Sequence, residues 1–331
     1  MLNGYGSRWV GYPPCMKTDT LNRRLRFAPP SATVRRLVLT DTDYLLFEAI
    51  DRHGPLPSHY LYEFTKHVRK DKSHLQNRLT EFYNGDAAGP YLVRPPQQFA
   101  SFQARYQHLV YDLAPRARQA LTERDKLGRY SSRRTDPFVH QLMGACVAAS
   151  LELAAPTKGL RYIPREEILA HDKCPEQTKQ GKNPMAIRLP GLESRLLIPD
   201  DLFGIEYVGV GFRFFAVEID RNTESIGRKN LDSSTFGRKI AGYLAVLRCR
   251  LYKEFWGLPN LSVLTVTTNA THAHNILGYL QRQNEPSYAE RFGFAFEPSL
   301  GANWRVPKGP LSNLLDEPWM TSAGAKDIGK A

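Results

Sequence analysis

Three carboxylates lie at positions where they could act together. Asp200 follows a proline at the junction of two predicted strands, and Glu218 ends the next strand in the segment FFAVEIDRNTE. Both side chains are therefore expected at one edge of a sheet. Asp220, two residues after Glu218, lies on the same face of that strand by the alternation of β-structure. Carboxylate oxygens grouped in this way are typical ligands of hard divalent cations such as Mg²⁺ or Mn²⁺.

These acids also have an ordinary structural explanation, which the sequence leaves open. An E-x-D pattern at a strand end is often a solvated edge, and Asp200-Asp201 after a proline is typical of a turn. Glu218, however, follows a strand in which five of six residues are apolar or aromatic. An unpaired carboxylate is unfavourable in such surroundings. The context therefore favours a shared site for Asp200 and Glu218.

The elements around these acids alternate between helix and strand periodicity, which indicates a mixed α/β (α+β) fold. A helix that is apolar on nearly every side is predicted over residues 138–153, and a long amphipathic helix over 234–256. The predicted strands of this half are 159–163, 194–198, 202–208, 212–219, 261–268 and 292–296, with a further helix over 272–282.

The first part of the chain has a different character. Thr40, with Asp43 three residues later, is a capping-box pattern that predicts a helix start, and Gly54-Pro55 predicts its end. Two further helices are predicted over residues 58–67 and 71–83, followed by strands over 91–94 and 108–113. Three short helices followed by a two-stranded ribbon are typical of a winged helix-turn-helix. In that fold the third helix enters the major groove of DNA.

The predicted third helix carries the candidate DNA contacts. Its apolar residues recur at helical spacing and are expected to face the core, which leaves the opposite face to solvent. Polar side chains on that face could read base edges, and cations near the helix start could bind phosphates. The candidates are Ser73, Gln76 and Asn77 for bases and Arg69, Lys70 and Lys72 for phosphates. A winged helix used for protein contacts is the alternative.

The charge of the chain is unevenly distributed. The net charge is +12, from 45 Lys and Arg against 33 Asp and Glu. Residues 1–135 hold 22 basic and 12 acidic side chains, a net of +10, whereas the remainder is close to neutral at +2. The asymmetry indicates a polyanion-binding module joined to a more neutral one and favours nucleic acid. A membrane surface or an acidic protein stays open as the partner.

The sequence also argues against several classes of protein and of site. No apolar stretch approaches the ~18–20 residues of a membrane span, and the N-terminus has no secretory pattern. The four cysteines form no CxxC pair, which favours a reducing cytoplasm and argues against a cysteine-bound zinc. His140 is expected to be a satisfied core histidine, and His272 and His274 are expected at the surface.

The order helix, three strands, helix and strand resembles the core of the PD-(D/E)XK nucleases. Together with the winged helix before it, the arrangement resembles the replication-relaxation family of plasmids and other mobile elements. The segments that carry the resemblance are IPDD, FFAVEIDRNTES and RKIAGYLAV, within about residues 38–296. The resemblance implies a DNA-binding protein with a nuclease-like domain, in which Asp200 and Glu218 hold Mg²⁺ or Mn²⁺ against a phosphodiester.

One position departs from the nuclease pattern. Two residues after Glu218, where the pattern has a lysine, this chain has Asp220, which is a candidate third metal ligand. In some members of the wider fold the lysine has moved to the following helix. The resemblance therefore points to Lys239 as the catalytic cation, with Arg238 as the second choice. A cation there could position the attacking water or neutralise charge in the transition state. Without one, the domain would bind metal or DNA without cutting.

The expected organisation is a basic arm (1–36), a winged helix-turn-helix (37–120), a linker (121–136), a nuclease-like domain (137–300) and a tail (301–331) with little structure of its own. The expected function is that of a Mg²⁺-dependent DNA endonuclease or nickase in relaxation, replication or mobilisation. A non-enzymatic DNA-binding accessory protein with a degenerate nuclease fold is the alternative. Expected partners are double-stranded DNA, a second copy of the chain and other replication or mobilisation proteins, in the cytoplasm and away from membranes.

Overall fold

The computed structural model describes residues 28, 30–33, 35–69, 71–100, 106–126, 128, 137–189, 196–221, 235–301 and 303–330. Most of the predicted arm, the greater part of the predicted linker and the candidate phosphate contact Lys70 lie outside these ranges. Within them, the chain combines helices with one large sheet and two small ones. The mixed α/β (α+β) class expected from the sequence is confirmed.

The N-terminal elements surround a small antiparallel sheet of order β1-β3-β2. They are, in chain order, α1 (Asp41–His53), β1 (Leu56–Pro57), α2 (Ser58–Thr65), α3 (Lys72–Asn84), β2 (Leu92–Val93), β3 (Val110–Leu113) and α4 (Pro115–Glu123); together they are termed the N-terminal unit. Thr40 and Asp43 form the expected capping box. Gly85 ends α3 with φ of 71°, and a Cβ there would meet the Gly89 backbone at 2.5 Å, so only glycine fits this turn.

The remaining elements form a large sheet with helices on both faces. They are α5 (Phe138–Ala154), β4 (Leu160–Pro164), α6 (Arg165–Ala170), α7 (Glu176–Lys179), β5 (Ile187–Arg188), β6 (Leu196–Leu197), β7 (Asp201–Tyr207), β8 (Gly211–Asp220), α8 (Thr235–Arg248), α9 (Leu251–Trp256), β9 (Ser262–Thr267), α10 (Ala270–Arg282), α11 (Pro286–Ala289), β10 (Phe292–Phe296), α12 (Asn313–Asp316), β11 (Trp319–Thr321) and β12 (Gly324–Lys326).

The large sheet has the order β12-β11-β10-β9-β8-β7-β4. Strands β4, β7 and β8 form an antiparallel meander, and β8, β9 and β10 run parallel. Parallel neighbours need a crossover, which α8 and α9 supply between β8 and β9, and α10 and α11 supply between β9 and β10. The carboxyl ends of β8 and β9 therefore meet at one edge, with the start of β7 beside them.

The first strand of the meander is not the one predicted. A strand over residues 194–198 was expected there; 194 and 195 lie outside the described residues, and Leu196–Leu197 form β6, which pairs with β5 in a separate small sheet. Strand β4 takes the place beside β7 with five paired residues, from Leu160 opposite Tyr207 to Pro164 opposite Phe203.

A single cluster of buried apolar side chains, termed the shared core, joins parts that the sequence assigned to separate domains. It contains Phe47 and Phe82 of the N-terminal unit, Val147 of α5, Phe215 of the sheet and Trp319 near the C-terminus. A second cluster lies on the other face of the sheet, under α8, α9 and α10. The N-terminal unit therefore packs directly on the larger unit through α5.

Helix α5 is apolar on all sides because it is enclosed. Residues 138–158 are long and apolar enough to cross a membrane by length and composition alone, the one such stretch within the described ranges. Of an 18-residue window within this stretch, 61% is buried inside the protein, and Leu142 and Val147 have no exposed surface. The helix contacts α1 and α2 on one side and β8 on the other. This is the environment of a core helix.

The segment after residue 300, expected to have little structure of its own, is part of the fold. It contributes α12 and the last two strands at one edge of the large sheet, β11 and β12. Trp319 is 1% exposed and its indole Nε1 donates to the Leu314 carbonyl (2.7 Å). The Tyr207 hydroxyl donates to the Ile328 carbonyl (2.5 Å). The prediction followed the high glycine and proline content of this segment and overlooked its few apolar side chains, which are buried.

Replacing Trp319 should therefore destabilise the whole protein. Trp319→Ala leaves a cavity in the shared core, and the free energy of unfolding should fall by about 3–5 kcal/mol. Urea denaturation followed by circular dichroism measures it. Lys308→Ala, at an exposed residue of the same segment, is the control and should change the value by less than about 0.5 kcal/mol. Equal effects of the two substitutions would contradict a core role for this segment.

Candidate functional site

Asp200 and Glu218 meet because β7 and β8 are antiparallel neighbours. Asp201 pairs with Val217, so the residue before β7 lies beside the end of β8. The Asp200 backbone N–H donates to the Val217 carbonyl (3.0 Å), and Asp200 Oδ2 accepts from the Ile219 N–H (2.7 Å). These bonds hold Asp200 at the strand edge. The structure thus brings the two carboxylates together as the sequence suggested.

Helix α8 covers this edge with two polar side chains. Lys239 and Tyr243 are four residues apart and share one face of the helix. The Tyr243 hydroxyl donates to Glu218 Oε1 (2.5 Å), and Lys239 Nζ forms an ion pair with Glu218 Oε2. Lys239 Nζ also lies 3.9 Å from Asp200 Oδ2. Asp200, Glu218 and Lys239 are termed the carboxylate–lysine cluster. Arg238, the alternative cation, is exposed.

His140 extends the cluster from the opposite side. Its Nε2 lies 3.2 Å from Asp200 Oδ1, and its side chain is 21% exposed. The sequence predicted a core histidine because His140 opens an apolar helix, α5. The first turn of that helix instead reaches the sheet edge. Sequence reasoning missed this contact because it depends on how α5 crosses the sheet.

Asp220 has a different partner from the one expected. Its Oδ2 lies 2.7 Å from Nε2 of His272, whose side chain is 5% exposed. The prediction that His272 lies at the surface is wrong, while His274 is exposed as expected. Asn269 caps α10 by accepting from the His272 N–H (2.7 Å), which places His272 in the first turn of the helix. Two histidines at i and i+2 on a helix face different directions, which allows one to be buried.

Burial and neighbouring charges set the ionisation of the cluster. Burial, and then the charge of Asp200, raise the pKa of Glu218 to about 7. Burial would raise the pKa of Asp200 too, but the His140 hydrogen bond and the Lys239 charge outweigh it and lower that pKa to about 2. Burial opposes the charged form of Lys239, but Glu218 and Asp200 outweigh it and raise its pKa. At neutral pH Lys239 is thus an ammonium and Asp200 a carboxylate.

The donor chemistry of the cluster fits a divalent cation held by two carboxylates. Mg²⁺ commonly uses one or two protein carboxylates and completes its shell with water and phosphate oxygens. Asp200 and Glu218 supply such donors, while Asp220 is engaged by His272. In the part of the chain that the structure describes, no group of three or more His, Cys, Asp or Glu side chains could hold a metal ion. A cation here would therefore depend on added water or phosphate ligands.

The exposed face of α3 has the composition expected of a DNA-contacting helix. Lys72, Ser73, Gln76 and Asn77 all lie in solvent. The Ser73 hydroxyl donates to the carboxylate of Asp71 (2.7 Å), the residue that caps α3. Lys72 Nζ lies 5.3 Å from the centroid of the Tyr62 ring in α2, whereas Gln76 and Asn77 project from the exposed face of α3. They form the surface through which this unit could meet a duplex.

Arg69 lies in the interior of the N-terminal unit, and this does not fit the phosphate contact predicted for it. Its side chain is 4% exposed, and its Nη2 donates to Asp43 Oδ1 (3.0 Å). Arg78 donates to Asp43 Oδ2 (2.7 Å), and Thr40 completes the set through the capping box. One carboxylate therefore starts α1 and binds two arginines, and Arg78 ties α3 to α1. Sequence reasoning placed Arg69 by its distance from the helix start and missed this buried pairing.

A family model described as replication-relaxation matches residues 47–258. The matched part exceeds half of the chain and runs from within α1 to just beyond α9. It includes most of the N-terminal unit and the whole carboxylate–lysine cluster, and it ends before β9, α10 and the C-terminal strands. No curated protein and no solved structure matches the chain.

The raised pKa of Glu218 predicts a stability that falls as pH rises. The folded-state pKa of about 7 lies above the ordinary glutamate pKa of 4.5. The folded protein therefore binds this proton more tightly than the unfolded chain, and that stabilisation is lost as pH rises from 4.5 through 7. Between pH 5 and pH 8, wild type should lose stability relative to Glu218→Gln, by about 1–3 kcal/mol. Asp200 contributes in a separate window, below about pH 4.

Urea unfolding at pH 5, 6, 7 and 8 in the presence of EDTA measures this difference. Glu254→Gln, at an exposed glutamate of α9, is the matched control and should follow wild type at every pH. Parallel pH profiles of wild type and Glu218→Gln would show that Glu218 ionises normally in the folded protein.

Proposed function

This chain belongs to the replication-relaxation family, and from that premise we propose that it is a DNA-binding, metal-dependent nuclease or nickase. Membership indicates a role in the replication or relaxation of plasmids or other mobile elements. The observation that carries the proposal is the meeting of Asp200, Glu218 and Lys239 at one sheet edge. Two hard oxygen donors beside a fixed cation are the groups that hydrolysis of a phosphodiester requires.

The order of elements supports the finer assignment of both units. The N-terminal unit runs helix, strand, helix, helix, strand, strand, with its three strands in one small sheet, as a winged helix does. The larger unit runs from α5 through the meander β4, β7 and β8 to α8 and the parallel strand β9. With α6, α7 and the small sheet of β5 and β6 set aside, this order resembles the helix, three strands, helix and strand of the PD-(D/E)XK nucleases, and Asp200 and Glu218 lie next to strand ends.

Each residue of the cluster has a distinct task under this proposal. Asp200 and Glu218 hold Mg²⁺ or Mn²⁺, which when bound polarises the phosphodiester and lowers the pKa of a coordinated water. Lys239 stays protonated because the neighbouring carboxylates raise its pKa, so it acts as a cation and not as a base. It neutralises charge that develops on the phosphate. Tyr243 orients Glu218 through the hydrogen bond to Oε1.

The alternative function is a DNA-binding accessory protein without nuclease activity. It is favoured by the closed hydrogen bonding of Glu218, because Tyr243 and Lys239 occupy both of its carboxylate oxygens. In that case the cluster is a buried polar network that holds α8 against the sheet. The two functions differ in whether a cation can enter between Asp200 and Glu218, which makes metal uptake the deciding property.

DNA binding by the N-terminal unit is expected to depend on α3. Lys72→Ala should weaken binding to every duplex and lower the slope of log affinity against log salt by about one, because one phosphate contact is lost. Asn77→Ala should instead reduce discrimination between sequences while changing total affinity little. Fluorescence anisotropy with a random-sequence duplex measures the first effect, and selection from a randomised duplex library measures the second.

The matched control for this helix is Lys173→Ala, at an exposed lysine after α6. It removes the same charge from a distant surface and should leave the salt dependence as in wild type. If Lys72→Ala and Lys173→Ala behave alike across the salt range, α3 is not the surface that contacts the duplex.

Cleavage is expected to depend on metal and on the cluster. Supercoiled plasmid incubated with wild type and Mg²⁺ or Mn²⁺ should be nicked, and EDTA should abolish the reaction. Glu218→Gln and Lys239→Ala should each reduce the rate by at least ~100-fold, the size of effect seen when one transition-state contact is removed. Glu254→Gln, which makes the same change of charge as Glu218→Gln at an exposed position, is again the control and should retain activity.

Calorimetric titration with Mn²⁺ separates the two tasks in the cluster. Wild type and Lys239→Ala should take up the cation, whereas Asp200→Asn should not, because it loses a carboxylate ligand. Identical uptake by wild type and Asp200→Asn would place any metal elsewhere and remove the nuclease assignment. Duplex binding without metal uptake or cleavage would instead support the accessory function.

A further inference from the structure

A groove lies at the end of the large sheet opposite the carboxylate–lysine cluster. It has a volume of about 400 Å³ and is formed by the β7–β8 hairpin, the starts of β9 and β10, and the end of β12. Arg213, in the wall of this groove, precedes Glu218 by five residues of β8, which is about 17 Å along the strand. The groove is therefore separate from the site already described.

Three cations line this groove. They are Arg213 of β8, Arg291 immediately before β10, and Lys326 at the end of β12. Burial, and then the charges of Arg213 and Arg291, lower the pKa of Lys326, while the nearby Glu290 acts in the opposite direction. Because the three side chains line one groove, their positive charges repel one another, and Glu290 offsets them in part.

The pairing of these cations differs from that of other arginines in the fold. Arg116 and Arg165, for example, each bind an aspartate at 2.6–3.0 Å. Among the described residues, Arg213, Arg291 and Lys326 form no salt bridge within 4.0 Å. The Arg213 guanidinium donates to the Lys330 carbonyl (3.2 Å) and lies 5.1 Å from the centroid of the Tyr207 ring, and neither contact brings a carboxylate to it. A concave surface with this excess of positive charge attracts an anion.

The rim of the groove is apolar and includes an exposed aromatic ring. Val210 and Phe212, at the tip of the hairpin, are 73% and 47% exposed, and both line the groove. Asn260 fixes the base of this rim: its Nδ2 donates to the Phe212 carbonyl (2.9 Å), and its Oδ1 accepts from the Phe214 N–H (3.0 Å). The aromatic side chain is therefore presented beside the cations by a hydrogen-bonded frame.

We propose that this groove binds single-stranded nucleic acid, with phosphates on Arg213, Arg291 and Lys326 and a base stacked on Phe212. The inference rests on the proposed function, since it assumes that the chain acts on DNA. Proteins hold single strands by two features: cations along the phosphate backbone and aromatic side chains on which the bases stack. A duplex keeps its bases stacked inside and cannot offer one to Phe212.

A bilayer is the other polyanion that a basic and apolar surface could meet. The placement of the charges argues against it, because the cations line a concavity behind the hairpin tip. A flat membrane surface would contact Val210 and Phe212 and leave the interior of the groove empty. A flexible strand can enter the concavity and reach both features together.

Binding of a fluorescent twenty-nucleotide oligo-dT by the full chain tests the proposal. Arg291→Gln/Lys326→Gln should weaken this binding at least tenfold and lower the salt slope by about 1.4, since each phosphate contact on a single strand contributes about 0.7. Phe212→Ala should weaken it about tenfold and leave the salt slope unchanged, because stacking releases no counterions. Arg188→Gln/Lys253→Gln, which removes two exposed charges elsewhere, should stay within twofold of wild type.

The duplex measurements separate this proposal from the proposed function. Arg291→Gln/Lys326→Gln should bind duplex as wild type does, which also shows that it is folded, and Lys72→Ala should keep its oligo-dT affinity. Wild type that binds duplex but not oligo-dT would overturn the groove assignment alone. Equal oligo-dT binding by the groove and control double variants would also overturn it. Binding to anionic phospholipid vesicles without binding to oligo-dT would assign the surface to membranes instead.

Discussion

The burial of one carboxylate is the constraint on which the sheet edge depends. Glu218 has almost no exposed surface, so its charge must be met from within the protein. Lys239 and Tyr243 can pair with this carboxylate only if α8 lies over the end of β8 and turns the face that carries both residues towards it. Asp200 then has to be held by the β7–β8 register, because its charge opposes that of Glu218. Sheet register, helix position and the ionisation of the cluster are therefore set together.

Helix α5 connects the carboxylate–lysine cluster to the N-terminal unit. His140 in its first turn contacts Asp200, and Glu152 near its other end pairs with Arg52 and His53 of α1. The two ends are twelve residues apart, or about 18 Å at 1.5 Å per residue. Because the helix is also enclosed in the shared core, the proposed DNA-binding face and the cluster are parts of one packed body. A duplex held on α3 would thus be oriented with respect to the sheet edge.

The sequence predicted correctly those features that depend on interactions between residues close together in the chain. The capping box of Thr40 and the apolar alternation of 292–296 gave elements that the structure contains, since each depends on neighbours in the chain. The features that were missed depend on distant partners. His272 is buried against Asp220, which is 52 residues away in the sequence. Arg69 is buried because it donates a hydrogen bond to Asp43 of α1, 26 residues before it. Short-range periodicity carries no signal for such pairs.

The number of ionisable groups at the sheet edge argues for a function beyond packing. Asp200, Glu218, Lys239, His140 and the Asp220–His272 pair all lie around the ends of β7 and β8. A buried ion pair is often no more stabilising than apolar side chains of the same volume, because desolvation offsets the attraction. A sheet edge that only had to fold could therefore be filled more simply with apolar residues. Burial and the charge of Asp200 raise the pKa of Glu218 although Lys239 and Tyr243 pair with it, so the pairing offsets the cost of burial only in part. A divalent cation would favour the ionised carboxylate, so under the proposed function the cation would offset the cost of burying Glu218.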